Sequence, residues 1–186
     1  MTEERPEAST NAIQQRFYVV SPTKFVTLFV GTLGVYSIYW FYKHWDLYRL
    51  RSGGTQWPVM RGLFPIFFAH ALFSIFSREY NEKFNTTRYN FTHYATIFVG
   101  VSVCSYFFNQ LSVNEIGRPF SDLFSFVALP IITWVLYHMQ LVVNGICGDL
   151  QGDSNNQFSF LNYSCLLLGG LGWVIVVFGL IESFQA

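Results

Sequence analysis

The side chains with the most chemical potential in this sequence lie inside apolar stretches. Thr133, Tyr137, Gln140 and Asn144 follow one another at steps of four, three and four, so on a helix they share one face. A polar stripe on an apolar helix has two uses. It hydrogen-bonds across a helix bundle, or it lines a polar path or small-ligand site within one. The structural use is the more economical, and the second stays open. His138 adjoins this stripe, and His70 sits in an earlier apolar stretch. Imidazole titrates near neutrality and ligates metals, so each is a place to look for a proton relay or a metal. Neither has a His, Cys, Asp or Glu at ligand spacing, and no HExxH occurs. A histidine held by a hydrogen bond is the expected role. His44 and His93 stand among aromatic residues without a signature.

The remaining chemical signals are thinner. Asp149 and Asp153, with Gly148, Gly152, Asn155 and Asn156, have the composition of a calcium loop. The EF-hand spacing and its closing Glu are missing, so a solvated turn is expected. Cys104, Cys147 and Cys165 show no CxxC and read as small packing residues. Glycosylation-type triplets start at Asn85, Asn90 and Asn162, and matter only in a secreted eukaryotic setting. No GxSxG, P-loop or GxGxxG is present, and the carboxylates cluster in loops or the tail, away from any site for general acid–base work. The sequence therefore calls for no enzymatic activity, no cofactor and no metal.

The elements that carry these residues are membrane segments. Of 186 residues, 52% are hydrophobic, 20% aromatic and only 12% charged, against about 25% charged in a soluble domain. No Asp, Glu, Lys or Arg occurs at 25–42, 62–77, 89–114, 123–148 or 154–181. Water gives no reason to gather charges between such stretches. A bilayer does, because a charge at mid-depth costs about 2.5–3.5 kcal/mol on insertion scales. Net charge is zero, and no basic run points to nucleic acid.

These features predict an all-α, multi-pass transmembrane helical bundle. Three spans are clear, at about 94–113, 123–143 and 161–182, with two shorter or broken membrane-embedded segments before them. Residues 1–22 are expected to form a polar N-terminal tail, loose to about Gln15, and 23–183 a single membrane-embedded domain. The first segment, Phe25 to Tyr42, is expected to bend or break near Thr32–Gly34. The second, Gly62 to Phe76, spans about 22 Å at 1.5 Å per residue, short of a hydrocarbon core of about 30 Å. A tilted partial span, a re-entrant piece and an interfacial helix all fit it. Short connections at 114–122 and 144–160 predict antiparallel packing of consecutive helices, and Pro130 predicts a kink in the fourth segment.

Charge distribution bears on orientation. If all five segments cross, Lys and Arg divide almost evenly between the two sides. If the first two dip in without crossing, nearly all lie on one side, and the positive-inside rule places everything up to residue 93 in the cytoplasm. The second arrangement is preferred.

Two further sets of residues are assigned by type. Gly31, Gly34, Gly169, Gly172 and Gly179 are candidates for close helix packing. Tyr39, Trp40, Lys43, Trp45, Arg49 and Arg51 form an aromatic-basic collar, read as interfacial and lipid-facing.

The run Lys24-Phe25, Thr32-Leu33-Gly34-Val35-Tyr36 and Tyr39-Trp40-Phe41-Tyr42-Lys43-His44-Trp45 resembles a family of small bacterial membrane proteins of unknown function. Arg61-Gly62-Leu63-Phe64, Leu129-Pro130 with Gln140 and Asn144, and Gly169-Gly170 with Trp173 extend the similarity from about 17 to 181. It implies the bacterial inner membrane and no particular activity. The expected function is a non-enzymatic helical bundle that scaffolds or interacts with lipid and protein, its partners being the bilayer and a second copy or another membrane protein. The alternative is a small transporter or channel subunit with its path along the Thr133–Asn144 stripe.

Overall fold

The computed structural model describes residues 16–117 and 120–185; the stretch expected to be loose, up to Gln15, lies outside them. It holds α1 (Pro22–Gly31), α2 (Tyr36–Ser52), α3 (Pro58–Leu63), α4 (Pro65–Lys83), α5 (Thr92–Val113), α6 (Phe120–Cys147) and α7 (Phe160–Gln185), with a 3-10 turn at Asp153–Asn155. No strand occurs among the described residues. Three helices, α5, α6 and α7, are long and apolar enough to cross a membrane. The protein is an all-α integral membrane bundle, and its other four helices form two hairpins.

The first hairpin reaches only part of the way down the bundle. α1 has 10 residues, about 15 Å of rise, or half of a hydrocarbon core of about 30 Å. It begins beside the start of α7, where the Lys24 ammonium donates to the Gln157 carbonyl (2.5 Å) and to Asn155 Oδ1 (2.6 Å). It ends near the middle of α7, where Trp173 Nε1 donates to the Val30 carbonyl at 2.9 Å. The chain then reverses through Leu33 (φ 54°) and Gly34 (φ 84°). A left-handed pair is costly for Leu and free for Gly. Hydrocarbon tolerates such irregular backbone only where its polar groups are satisfied. Here Gly34 N donates to the Phe29 carbonyl (2.8 Å), and the Thr32 hydroxyl donates to the Leu28 carbonyl (2.7 Å) while accepting from Tyr36 N (3.0 Å). The break expected near Thr32–Gly34 is present.

α3 and α4 form the second hairpin, turning at Phe64-Pro65. A side chain at Gly62 would collide with the Ile38 carbonyl and Tyr42, so glycine lets α3 lie directly on α2. α4 runs back past Phe73 and Phe76 to Lys83. The second segment is therefore broken at Phe64, and its longer helix extends through the polar residues 77–83 to the bundle's polar end. Leu33 and Gly34 at one tip and Leu63, Phe64 and Pro65 at the other line a common apolar groove.

The core is aromatic. Phe17, Phe25, Phe29, Trp40, Phe41, Trp45, Phe73 and Phe76 are essentially inaccessible, packed with Leu136 and Met139 of α6. The Phe41 and Phe73 rings lie nearly parallel, 6.3 Å apart. Phe17, Val19, Val20 and Ser21 are buried with this core and Tyr18 packs against it, since a run of Phe, Tyr and Val is too apolar to stay outside.

Consecutive packing holds for α5 against α6. It fails for α7, which packs more on α1 than on α6. The reason is the glycine contact. A side chain at Gly169 would overlap the Gly31 carbonyl and Thr32 Cα, Gly31 lies under Leu166, and Gly172 faces Leu33. Gly34 serves the hairpin tip instead. Gly179 meets none of the described residues of this chain. α6 continues as one helix across Pro130.

Gly169→Ala is expected to destabilise the protein by about 1–3 kcal/mol, the usual cost of overpacking, whereas Gly179→Ala should change it by less than about 1 kcal/mol. Thermal unfolding of both variants in detergent checks this; equal stability would mean that α7 does not need the close approach to α1.

Candidate functional site

The segment Phe17–Val20 runs extended into the core with no helix or strand of its own, so its carbonyls need donors from elsewhere. Four side chains supply them in succession. Cys147 Sγ reaches the Phe17 carbonyl (3.7 Å), Gln140 Nε2 that of Tyr18 (3.0 Å), Asn155 Nδ2 that of Val19 (2.9 Å) and Asn144 Nδ2 that of Val20 (3.0 Å). Gln140 also donates to Asn144 Oδ1 at 2.7 Å and accepts from Trp40 Nε1 at 2.6 Å. Both amide hydrogens and the carbonyl of Gln140 are thus engaged within the protein.

The sequence stripe accordingly divides. Gln140 and Asn144 are fully buried and clamp the strap formed by Phe17–Val20. Thr133 donates back to the Leu129 carbonyl of its own helix (2.7 Å), and Tyr137 packs at the core margin.

The collar residues also divide. Trp40 and Trp45 are buried, at 0% and 1% exposure, so their lipid-facing reading is corrected. The α1–α2 hairpin turns their face of α2 onto α4 and α6, and Arg61 covers the Trp45 ring at 4.0 Å. Arg51 stays exposed as a residue and makes a two-point ion pair with Glu79 (3.1 and 2.5 Å), its guanidinium 5.1 Å from the Phe17 ring centre. Tyr39 and Lys43 remain on the surface side of α2, and Arg49 pairs with Asp46 at 2.8 Å.

Among the histidines, His44 is the unexpected one. It is fully buried, with the Trp40 ring at 4.2 Å and the Phe76 ring at 5.1 Å, and no described residue bonds either ring nitrogen. Burial drives its pKa down to about 3, so the ring is neutral at physiological pH. His70 bonds the Thr96 hydroxyl (3.1 Å), and His138 Nδ1 the Trp134 carbonyl (2.8 Å). Among the described residues no three His, Cys, Asp or Glu side chains gather as metal ligands.

Charge collects at the end where the strap, α2, α4 and α6 meet. Glu79, nearly buried, holds Arg51 and lies 3.6 Å from Arg16 and 3.7 Å from Arg78. The Lys83 ammonium donates to the Gly145 and Ile146 carbonyls, both at 2.9 Å, near the negative end of α6. Asp149 accepts from the amides of Asp153 and Ser154 (both 3.0 Å), which hold its carboxyl below the usual range. The Asp149 carboxylate therefore builds the turn, with Asp153 contributing its amide. Between the elements opens a cavity of about 1190 Å³, lined by Arg16, Tyr18, Val19, Tyr39, Lys43, Leu47, Glu82, Lys83, Ile146, Cys147, Asp149, Ser154 and Asn155. Basic, acidic, amide, phenol and thiol groups meet on its walls.

Glu79, Lys83 and the strap are absent from the sequence assignments. Their partners lie far along the chain, so no local spacing marks them. Of this cavity's lining, Tyr39 and Lys43 were singled out beforehand as interfacial residues, while Cys147, Asp149 and Asn155 were read as packing or turn residues.

No family model, curated protein or solved structure matches this chain.

Gln140→Leu is expected to cost about 3 kcal/mol, because Trp40 Nε1 and the Tyr18 carbonyl lose their buried partner, at roughly 1–3 kcal/mol each. Gln110→Leu, on an exposed position of α5, should stay within about 0.5 kcal/mol. Equal tolerance of the two in thermal unfolding would show that the clamp contributes nothing.

Proposed function

We propose that this protein is a non-enzymatic bundle of the bacterial inner membrane whose basic end rests on the cytoplasmic leaflet and engages anionic lipid and membrane-protein partners there. One observation carries the reading. Because both hairpins return to the end they started from, Arg16, Lys24, Lys43, Arg49, Arg51, Arg61, Arg78, Lys83 and Arg88 all belong to the same half of the molecule. The opposite end carries Glu115, Asp122 and Glu182.

The positive-inside rule counts Lys and Arg near membrane ends, and here the imbalance is nearly complete. Basic side chains next to a membrane are also drawn to anionic lipid, by about 1 kcal/mol each near the surface. The resemblance noted for the Lys24–Trp45 run supports the inner membrane as the location. The transporter reading loses its support from the polar stripe, since Gln140 is wholly engaged in holding the strap and Asn144 bonds both the strap and Gln140.

In this arrangement Ser52 and Ser154 share the cytoplasmic side and Asn114 faces outward. Single cysteines at these positions, in a chain with Cys104 and Cys165 changed to Ala and Cys147 to Ser, test it with a membrane-impermeant maleimide on intact cells. Asn114→Cys should label, and Ser52→Cys and Ser154→Cys only after the membrane is opened. Labelling of position 52 from outside would sink the proposal.

A further inference from the structure

We propose that the cavity at the basic end is a binding site for the phosphate headgroup of an acidic phospholipid. The inference rests on the reading that this end lies at the cytoplasmic leaflet.

The lining carries three bases, Arg16, Lys43 and Lys83, against two acids, Glu82 and Asp149, so its balance is positive. Of its acids, Glu82 pairs with Arg78 at 3.8 Å, and Asp149 is taken up by two backbone amides. Its bases are less occupied. Lys43 has no acidic partner among the described residues and only the Tyr39 ring beside it, 5.9 Å from the ring centre. Arg16 is half exposed and stands 3.6 Å from Glu79, both of whose oxygens Arg51 already takes. Lys83 spends two of three donors on the end of α6. Charge-assisted hydrogen bonds from such groups suit a phosphate.

The shape favours a lipid over a soluble phosphate. Along α2 the lining runs from Leu47 down to Tyr39, about 12 Å at 1.5 Å per residue. Val19 and Ile146 also line the cavity but are only 2% exposed, so the Tyr39 ring, 44% exposed, with the half-buried Leu47, is its accessible apolar surface. A headgroup at the level of Lys43 would leave its glycerol and upper chain against this apolar surface. A soluble phosphate would leave that surface bare.

The test uses the full-length protein in a non-ionic detergent, titrated with dioleoylphosphatidylglycerol, dioleoylphosphatidylcholine or sn-glycerol 3-phosphate, with native mass spectrometry and thermal unfolding as readouts. Phosphatidylglycerol should be retained at one molecule per chain and raise the unfolding temperature, while the other two should do neither. Lys43→Gln should weaken its binding about tenfold, as expected for losing one charge-assisted bond, and Lys43→Arg should restore most of it. Arg88→Gln, at the same end but outside the cavity, should leave it unchanged. Equal weakening by Arg88→Gln and Lys43→Gln would overturn the cavity site and leave the basic-end reading standing. Equal binding of the two lipids would overturn it as well, and glycerol 3-phosphate binding as tightly as the lipid would overturn the lipid assignment. Failure of the orientation itself is read separately, from labelling at position 52.

Discussion

Unpaired backbone carbonyls are the constraint around which this molecule is arranged. An extended segment inside a low-dielectric core presents an acceptor at every residue, and leaving one unmet costs on the order of a hydrogen bond or more. Helices answer this internally; the Phe17–Val20 strap cannot. Its four carbonyls are met by Cys147, Gln140, Asn155 and Asn144, so the carboxy-terminal part of α6 and the turn after it are shaped to receive it. With the strap seated, Phe17 lies under Arg51 and against Phe76, and Tyr18 meets Tyr39 and the Tyr36 hydroxyl. Removing the clamp would thus disturb the contacts of α2 and α4 as well as the strap.

The same rule governs the α1–α2 tip. Leu33 and Gly34 break the helix at a depth where water cannot help, and the Thr32 hydroxyl bridges the two helices by donating to one and accepting from the other. Trp173 covers the Val30 carbonyl from α7. Glycine at 169 is what lets α7 come near enough to do so. Close packing and backbone satisfaction are here one requirement, met by one helix crossing.

Much of the fold was legible from charge placement and residue type. Long uncharged stretches marked the three spans, because a bilayer penalises charge at any position along them. Gly31 and Gly34 marked the break, because glycine is a poor helix former and takes left-handed backbone freely, as Gly34 does. The collar was misread at Trp40 and Trp45. An aromatic-basic run looks alike whether it faces lipid or folds onto a neighbouring aromatic helix, and α4 supplied that neighbour from Phe73 to Glu79. The stripe at Gln140 and Asn144 was recognisable as a hydrogen-bonding face. Its partner was not, since main-chain carbonyls carry no residue-type signal. Asn155 was hidden for a related reason: its turn had the composition of a calcium loop, while its side chain serves the strap.

The half-depth hairpins leave the molecule asymmetric across its thickness. At the basic end the strap, α2, α4, α5, α6 and the start of α1 and α7 pack into a dense aromatic core. Beyond the two tips only α5, α6 and α7 continue, beside a groove of about 540 Å³ lined by Phe29, Phe98, Phe126 and Trp173. Buried charge follows the same gradient. Glu79 can sit among Arg51, Arg16 and Arg78 only where water and neighbouring side chains repay its desolvation. Dense packing makes that end rigid, and rigidity holds the walls of the polar cavity in place. A binding site needs such fixed walls, whereas three sparsely packed helices in hydrocarbon supply little more than an anchor. The asymmetry of depth therefore fits the proposed recognition to the basic end and leaves the three long apolar helices at the other.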